Sequence, residues 1–171
     1  FYALFHNNYF GYHLISIVLH ATNSLLVYKL ASHIFKLTNF NKTKKLAILS
    51  SFLFVVYPIH VEVISWIAAW PHLWATFFYL LSLINYFSFR QSNKSKKLVY
   101  SCLFFILALL TKEMAISLPL VILIWEIYFY STKQKLNIKS YYYLPAYFVI
   151  LALFLWLRYF SIGLIFGYYA S

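Results

Sequence analysis

Two short polar segments of this chain carry side chains that could do chemistry. His60 and Glu62 lie in Tyr-Pro-Ile-His-Val-Glu, and Lys112 and Glu113 lie in Thr-Lys-Glu-Met. A carboxylate can take a proton from a hydroxyl group, and a histidine beside it can polarise the hydroxyl or orient another base. A hydrogen-bonded turn with no chemical role is the alternative for His60 and Glu62. Both interpretations are compatible with the spacing of the two residues.

Two cations, Lys112 and Arg158, are expected at the same membrane boundary as these two polar segments. Thr111 is a favourable N-cap residue, so we expect it to begin a helix whose dipole Glu113 complements. A lysine is unfavourable at such a helix start, and a nearby anion such as a lipid phosphate would explain Lys112. The planar guanidinium group of Arg158 matches a phosphate geometrically. Interfacial anchoring of the two long side chains is the alternative.

Tryptophans recur at four-residue spacing after the first polar segment, at Trp66, Trp70 and Trp74. On one continuous helix they would form a stripe that could stack on the face of a sugar. Pro71 interrupts this run. Anchoring of the indole rings at the membrane interface is the alternative, and the sequence favours it.

Polar residues on the first predicted helix include two histidines seven residues apart, His13 and His20, with Asn23 close to the same face. In a membrane helix such residues more often make interhelical hydrogen bonds than bind ligands. The sequence contains no Cys and His spacing typical of a metal site and no Gly-rich phosphate loop. We therefore predict neither a metal nor a cofactor.

The elements that must position these residues are predicted to be membrane helices. Hydrophobic residues make up 64% of the chain and charged residues 10%, which is too little charge for the surface of a soluble domain. We predict an all-α fold, a multi-pass transmembrane bundle of about six helices near the ~20 residues needed to cross a bilayer. A further helix over residues 58–70 is expected to lie in the outer interface. The six predicted spans are 11–35, 46–57, 72–89, 98–110, 112–130 and 141–160.

Positive charge is concentrated between the predicted helices. Residues 36–45, 90–97 and 133–139 hold all but three of the fourteen Lys and Arg residues. If consecutive helices form hairpins, the three loops lie on one side, which the positive-inside rule assigns to the cytoplasm. Glu62 and Glu113 then share the extracytoplasmic side, where two carboxylates suggest a polar cleft. The net charge of +11 is accordingly attributed to topology and to contact with membrane lipids, and no nucleic acid partner is predicted.

Domain organisation follows from the same pattern, because no soluble domain or linker is visible. The chain starts with Phe1, and its one methionine is Met114. We expect residues 1–171 to be part of one transmembrane domain, with an N-terminal helix and loop and a C-terminal region outside them.

The order of the motifs resembles that of the transmembrane, tetratricopeptide-repeat-containing O-mannosyltransferases and their bacterial relatives, which are GT-C glycosyltransferases. The similar segments, in order, are Gly-Tyr-His-Leu at 11–14, Leu-His-Ala at 19–21, Tyr-Pro-Ile-His-Val-Glu at 57–62, Ser-Trp-Ile-Ala at 65–68 and Leu-Leu-Thr-Lys-Glu-Met-Ala-Ile-Ser-Leu-Pro-Leu at 109–120. Each motif is short, so their order across nearly the whole chain carries the resemblance.

The resemblance implies an enzyme that moves a sugar, expected to be mannose, from a polyprenyl-phosphate carrier to a hydroxyl of a protein or glycan. Its site would face the extracytoplasmic side of a bacterial plasma membrane or of the endoplasmic reticulum. The family's assigned base would lie in a loop before Phe1, with Glu62 and His60 as catalytic residues on the acceptor side. The implied substrate-binding residues are Lys112, Glu113, Arg158, Trp66 and Trp70.

One departure from the family pattern supports a second hypothesis. Relatives commonly carry Gly-Arg-x-Asp where this chain reads Ala-Trp-Pro-His at 69–72. The alternative is a non-catalytic membrane protein: a degenerate transferase relative, a lipid-binding scaffold or a transporter. Paired helix breaks at the bilayer midplane would favour a transporter. Pro119 is the one break that the sequence offers, so this alternative is weaker.

Overall fold

The computed structural model describes residues 9–38, 41–58, 66, 69–132 and 143–162. Throughout these ranges the secondary structure is helical, without strands, which confirms the all-α prediction. A 3₁₀ helix, Glu113–Ser117, precedes the fifth α-helix. The α-helices are α1 (Tyr9–Leu37), α2 (Thr43–Val56), α3 (Trp70–Ser92), α4 (Ser95–Thr111), α5 (Leu118–Ser131) and α6 (Leu144–Ile162).

Three helical segments in the described ranges are long and apolar enough to cross a membrane: Phe10–Leu37, Glu113–Ser131 and Leu144–Ser161. They support the predicted membrane bundle. Crossing by α2, α3 and α4 stays a prediction. The 14 residues of α2 span roughly 21 Å at 1.5 Å per residue, less than the ~30 Å hydrocarbon core.

The helices fall into two compact units, Phe1–Ala115 and Ile116–Ser171. In the first unit α1 and α2 pack side by side. The Ser51 hydroxyl donates a hydrogen bond to the Ser24 carbonyl at 2.8 Å, and the rings of His20 and Phe54 stack at 5.3 Å. Lower numbers on α1 thus meet higher numbers on α2, so the two helices are antiparallel.

The contacts between α1 and α3 run in the opposite sense. The amide Nδ2 of Asn23 donates to the Leu73 carbonyl at 3.1 Å, and the indole Nε1 of Trp70 donates to Ser16 Oγ at 2.7 Å. Numbers rise together along both helices, so α1 and α3 are parallel. The Asn23 bond confirms the expectation that this residue links helices.

A pair of serines joins α3 to α4. Ser82 Oγ donates to the Ser101 carbonyl at 2.8 Å, and Ser101 Oγ donates to the Ser82 carbonyl at 2.7 Å. Both residues are fully buried, and small side chains let helix backbones approach closely. The rings of Phe78 and Phe104 stack at 6.4 Å, so lower numbers on α3 meet higher numbers on α4 and this pair is also antiparallel. The α1–α2 and α3–α4 turns, both basic, therefore lie at one end of the unit. Which membrane side that end faces stays a prediction.

The second unit contains α5 packed against α6. Pro119 was expected inside the fifth helix, but it occupies the first turn of α5, because the 3₁₀ helix before it takes up the preceding residues. Proline is tolerated at a first helical turn, where its missing N–H is not needed. Glu126 lies near the end of the fifth predicted span, 112–130, and this position predicts contact with water or with a basic loop. It is 1% exposed, so contact with water is ruled out.

Candidate functional site

The turn at Lys112 joins α4 to the 3₁₀ helix. The Thr111 hydroxyl donates to the Leu107 carbonyl at 2.7 Å, so Thr111 ends α4 and does not begin the next helix as expected. Lys112 is extended, and its N–H donates to the Ala108 carbonyl at 3.0 Å. Its own carbonyl accepts from the Ala115 N–H at 3.3 Å. Lys112 therefore closes one helix and starts the next.

This position changes the electrostatic argument about Lys112. The last carbonyls of α4 form the negative end of a 17-residue helix dipole, which favours a cation at the C-cap. Lys112 also starts the 3₁₀ helix, but that helix has five residues and a smaller dipole than α4. The expectation that Lys112 needs a nearby anion because it opens a helix is therefore wrong. Glu113 is confirmed as an acidic residue in the first turn of the helix that follows, although that turn is 3₁₀. Both side chains are half-buried.

His72 in the first turn of α3 lies within electrostatic range of Lys112. The start of α3 and the end of α4 therefore meet, as expected of an antiparallel hairpin. His72 was not predicted as a site residue. One signal in the sequence could have identified it: it follows Pro71, which occupies the first turn of α3.

Trp70 begins α3 and is half-buried. Besides its hydrogen bond to Ser16, its ring lies 5.5 Å from that of Tyr12, with the ring planes at 50°. Trp66 lies outside α3 and is 61% exposed. The Ala69 N–H donates to the Trp66 carbonyl at 2.9 Å, which forms a turn ahead of α3. Trp66 and Trp70 are therefore close in the chain without sharing a helix.

The other predicted site residues are placed differently. His60 and Glu62 lie outside the described residues, as does most of the expected interfacial helix, so their roles stay predictions. Arg158 is a half-buried residue near the end of α6, in the second unit. Its predicted partnership with Lys112 also stays a prediction. No group of three or more His, Cys, Asp or Glu side chains placed to hold a metal occurs within the described ranges.

Comparison with known proteins decides the family. Residues 1–159 match the family of dolichyl-phosphate-mannose-protein mannosyltransferases. The chain belongs to this family. A protein O-mannosyl-transferase of Caenorhabditis elegans is 34% identical to it over 127 residues, covering 72% of this chain and 17% of the relative. The protein O-mannosyl-transferase TMTC4 of Homo sapiens is 30% identical over 92 residues, covering 49% of this chain and 12% of the relative.

The mouse TMTC4 mannosyltransferase is 26% identical over 122 residues, which cover 63% of this chain and 16% of that protein. The chain thus spans less than a fifth of the length of these mannosyltransferases. No solved structure matches it.

Proposed function

We propose that this chain is the membrane segment of a glycosyltransferase that moves mannose from a polyprenyl-phosphate carrier to a protein hydroxyl on the extracytoplasmic side. The family match over residues 1–159 carries the proposal. It is supported by the position of the Lys112–Glu113 turn, at the end of the first unit opposite its two basic turns.

The reaction requires a nucleophile, a base and stabilisation of a departing phosphate. The acceptor oxygen attacks the anomeric carbon of the sugar and loses its proton to a carboxylate base. The bond between that carbon and the phosphate oxygen breaks, and the lipid phosphate leaves with the electron pair. Cations held at the phosphate lower the barrier because negative charge grows there in the transition state. Glu62 and His60 would line the acceptor side, with the family's base in a preceding loop.

Lys112 is the phosphate ligand that the geometry supports best. Its backbone lies at the end of α4, and its half-buried side chain lies within electrostatic range of His72 at the start of α3. The His72 ring could donate a hydrogen bond to the same phosphate. Glu113 would orient Lys112, and Arg158 of the second unit stays a predicted phosphate ligand. An exposed ring such as Trp66 could stack on the sugar.

A non-catalytic lipid-binding relative is the second candidate. Trp70 replaces an arginine common in relatives, and its indole N–H is committed to Ser16 on α1. A residue used for helix packing supplies no charge for a phosphate. This candidate predicts carrier binding without sugar transfer.

The test uses the full-length protein in liposomes with polyprenyl-phosphate mannose and a serine- or threonine-rich acceptor. Lys112→Ala should lose carrier affinity by about ten- to a hundredfold, which is the contribution of one charge-assisted contact. Lys94→Ala removes an exposed lysine at the opposite end of the unit and should leave affinity and transfer unchanged. Carrier binding without transfer in the wild type would favour the second candidate. Absence of both would reject the proposal.

A further inference from the structure

The end of the first unit opposite Lys112 is strongly basic. Two helix pairs turn there, between Leu37 and Thr43 and between Ser92 and Ser95. In the described part of this unit, Glu113 is the one acidic residue, and it lies at the other end. The described cations at or beside the two turns are Lys36, Lys42, Lys44, Lys45, Arg90, Lys94, Lys96 and Lys97.

Side chains from three helices lie within interaction range of His33 at this end. The ammonium groups of Lys36 on α1 and Lys97 on α4 are both within electrostatic range of its ring, and the Gln91 side chain of α3 interacts with it. The ring nitrogen Nδ1 of His33 is buried and has no hydrogen-bond partner among the described residues. Lys36 is exposed and Lys97 half-buried, so both can reach the surface.

This arrangement combines positive charge with an unsatisfied donor. Lys36 and Lys97 place two cations within electrostatic range of the same ring. A buried ring nitrogen without a partner loses its hydrogen bond to water. An anion with several oxygen atoms could be attracted by both ammonium groups and could accept a hydrogen bond from the Nδ1–H tautomer of His33.

The depth of His33 indicates a lipid as the source of this anion. The residue lies four positions inside the end of the candidate span Phe10–Leu37, about 6 Å along the helix axis at 1.5 Å per residue. That depth corresponds to the boundary between headgroups and acyl chains. A soluble polyanion would reach the exposed lysines of the two turns, but not a ring within the span.

We propose that His33, Lys36 and Lys97 bind the phosphate of an anionic phospholipid headgroup at the end of the unit where α3 packs against both α1 and α4. The site lies at the opposite end of the unit from the Lys112 turn and is independent of sugar transfer. Basic pockets between membrane helices are known to hold phosphate headgroups in this way.

The test measures binding of phosphatidylglycerol and phosphatidylcholine to the full-length protein in detergent by native mass spectrometry. Wild type should prefer phosphatidylglycerol. Lys36→Gln with Lys97→Gln should weaken that binding at least about tenfold, since each charge-assisted contact contributes about that much. The control, Lys42→Gln with Lys44→Gln, removes the same charge from the start of α2 and should change binding less than about twofold. Equal losses in the two double variants would overturn the site in favour of diffuse attraction.

Two further measurements test whether the anion belongs to a lipid and whether the His33 ring takes part in binding it. Inorganic phosphate at millimolar concentration should not displace the lipid, and displacement would overturn the lipid assignment. His33→Phe keeps the ring volume and removes the donor, so it should weaken phosphatidylglycerol binding severalfold, and unchanged binding would remove His33 from the site. An unchanged thermal unfolding midpoint in lipid-free detergent should accompany each loss; a lowered midpoint in Lys36→Gln with Lys97→Gln would assign its effect to misfolding and count against the proposal.

Discussion

The indole N–H of Trp70 donates a hydrogen bond to Ser16 Oγ across α1 and α3, at 2.7 Å. Ser16 is 1% exposed. Its hydroxyl also lies 3.3 Å from the Tyr12 carbonyl, to which it donates. The bond therefore ties the start of α3 to α1, and it holds the turn that carries His72. Trp70 thus serves to position the helix that carries His72.

Removing either partner of this bond should lower the free energy of unfolding. Ser16→Ala leaves the indole N–H without its acceptor, at a cost of about 1–3 kcal/mol. Trp70→Phe keeps an aromatic ring and removes the donor. Because both changes delete the same interaction, the double variant should cost less than the sum of the two single variants. Unfolding in a denaturing detergent measures the cycle, and strict additivity would show that the bond contributes nothing.

The buried amide of Asn23 is expected to stabilise the α1–α3 contact. Asn23 is fully buried, and its Nδ2 donates to the Leu73 carbonyl. Asn23→Ala should lower the free energy of unfolding by about 1–2 kcal/mol, because the bond is lost and a small cavity remains. Thr22→Ala is the control, since its hydroxyl bonds only to Val18 within the same helix. A loss no larger than that of the control would contradict the prediction.

The orientation of the basic turns can be tested with native acceptor triplets for glycosylation. Asn41-Lys-Thr and Asn93-Lys-Ser stand in the two basic turns, and both asparagines are exposed. If these turns face the cytoplasm, neither asparagine should receive a glycan when the chain is inserted into glycosylation-competent microsomes. A triplet engineered with a spacer into residues 161–171 should be modified. A glycan on Asn41 or Asn93 would reverse the predicted topology.

Arg158 should distinguish a phosphate ligand from an interfacial anchor. In the full-length protein Arg158→Ala should weaken carrier binding by about ten- to a hundredfold if the guanidinium group contacts phosphate. Arg158→Lys keeps the charge but loses the planar pair of donors, so it should recover only part of the affinity. An anchor would give a different pattern, in which Arg158→Lys matches wild type and Arg158→Ala changes insertion while carrier binding per inserted molecule is constant.

Local helix signals explain both the successes and the errors of the sequence-based predictions. Pro71 immediately precedes the third predicted span, 72–89, and it lies in the first turn of α3. Thr111 was read as an N-cap, but threonine can equally end a helix by donating to the carbonyl four residues earlier, as it does here to Leu107. Lys112, which was predicted at an unfavourable helix start, therefore lies at the favourable end of α4. Residue type alone does not separate these two arrangements.

The sequence by itself determined the helical class, the approximate extent of six helices, the separation of the basic turns from Glu113 and the family. These properties depend on hydrophobic runs and charge along the chain, which are local quantities. Tertiary structure decided that Trp70 bonds to Ser16, that His72 lies within electrostatic range of Lys112 and that His33 lies within range of Lys36 and Lys97. Those pairs depend on how each helix is rotated and offset against its neighbours. The packing of side chains such as Ser82 and Ser101 sets that register, and no periodicity within one helix encodes it.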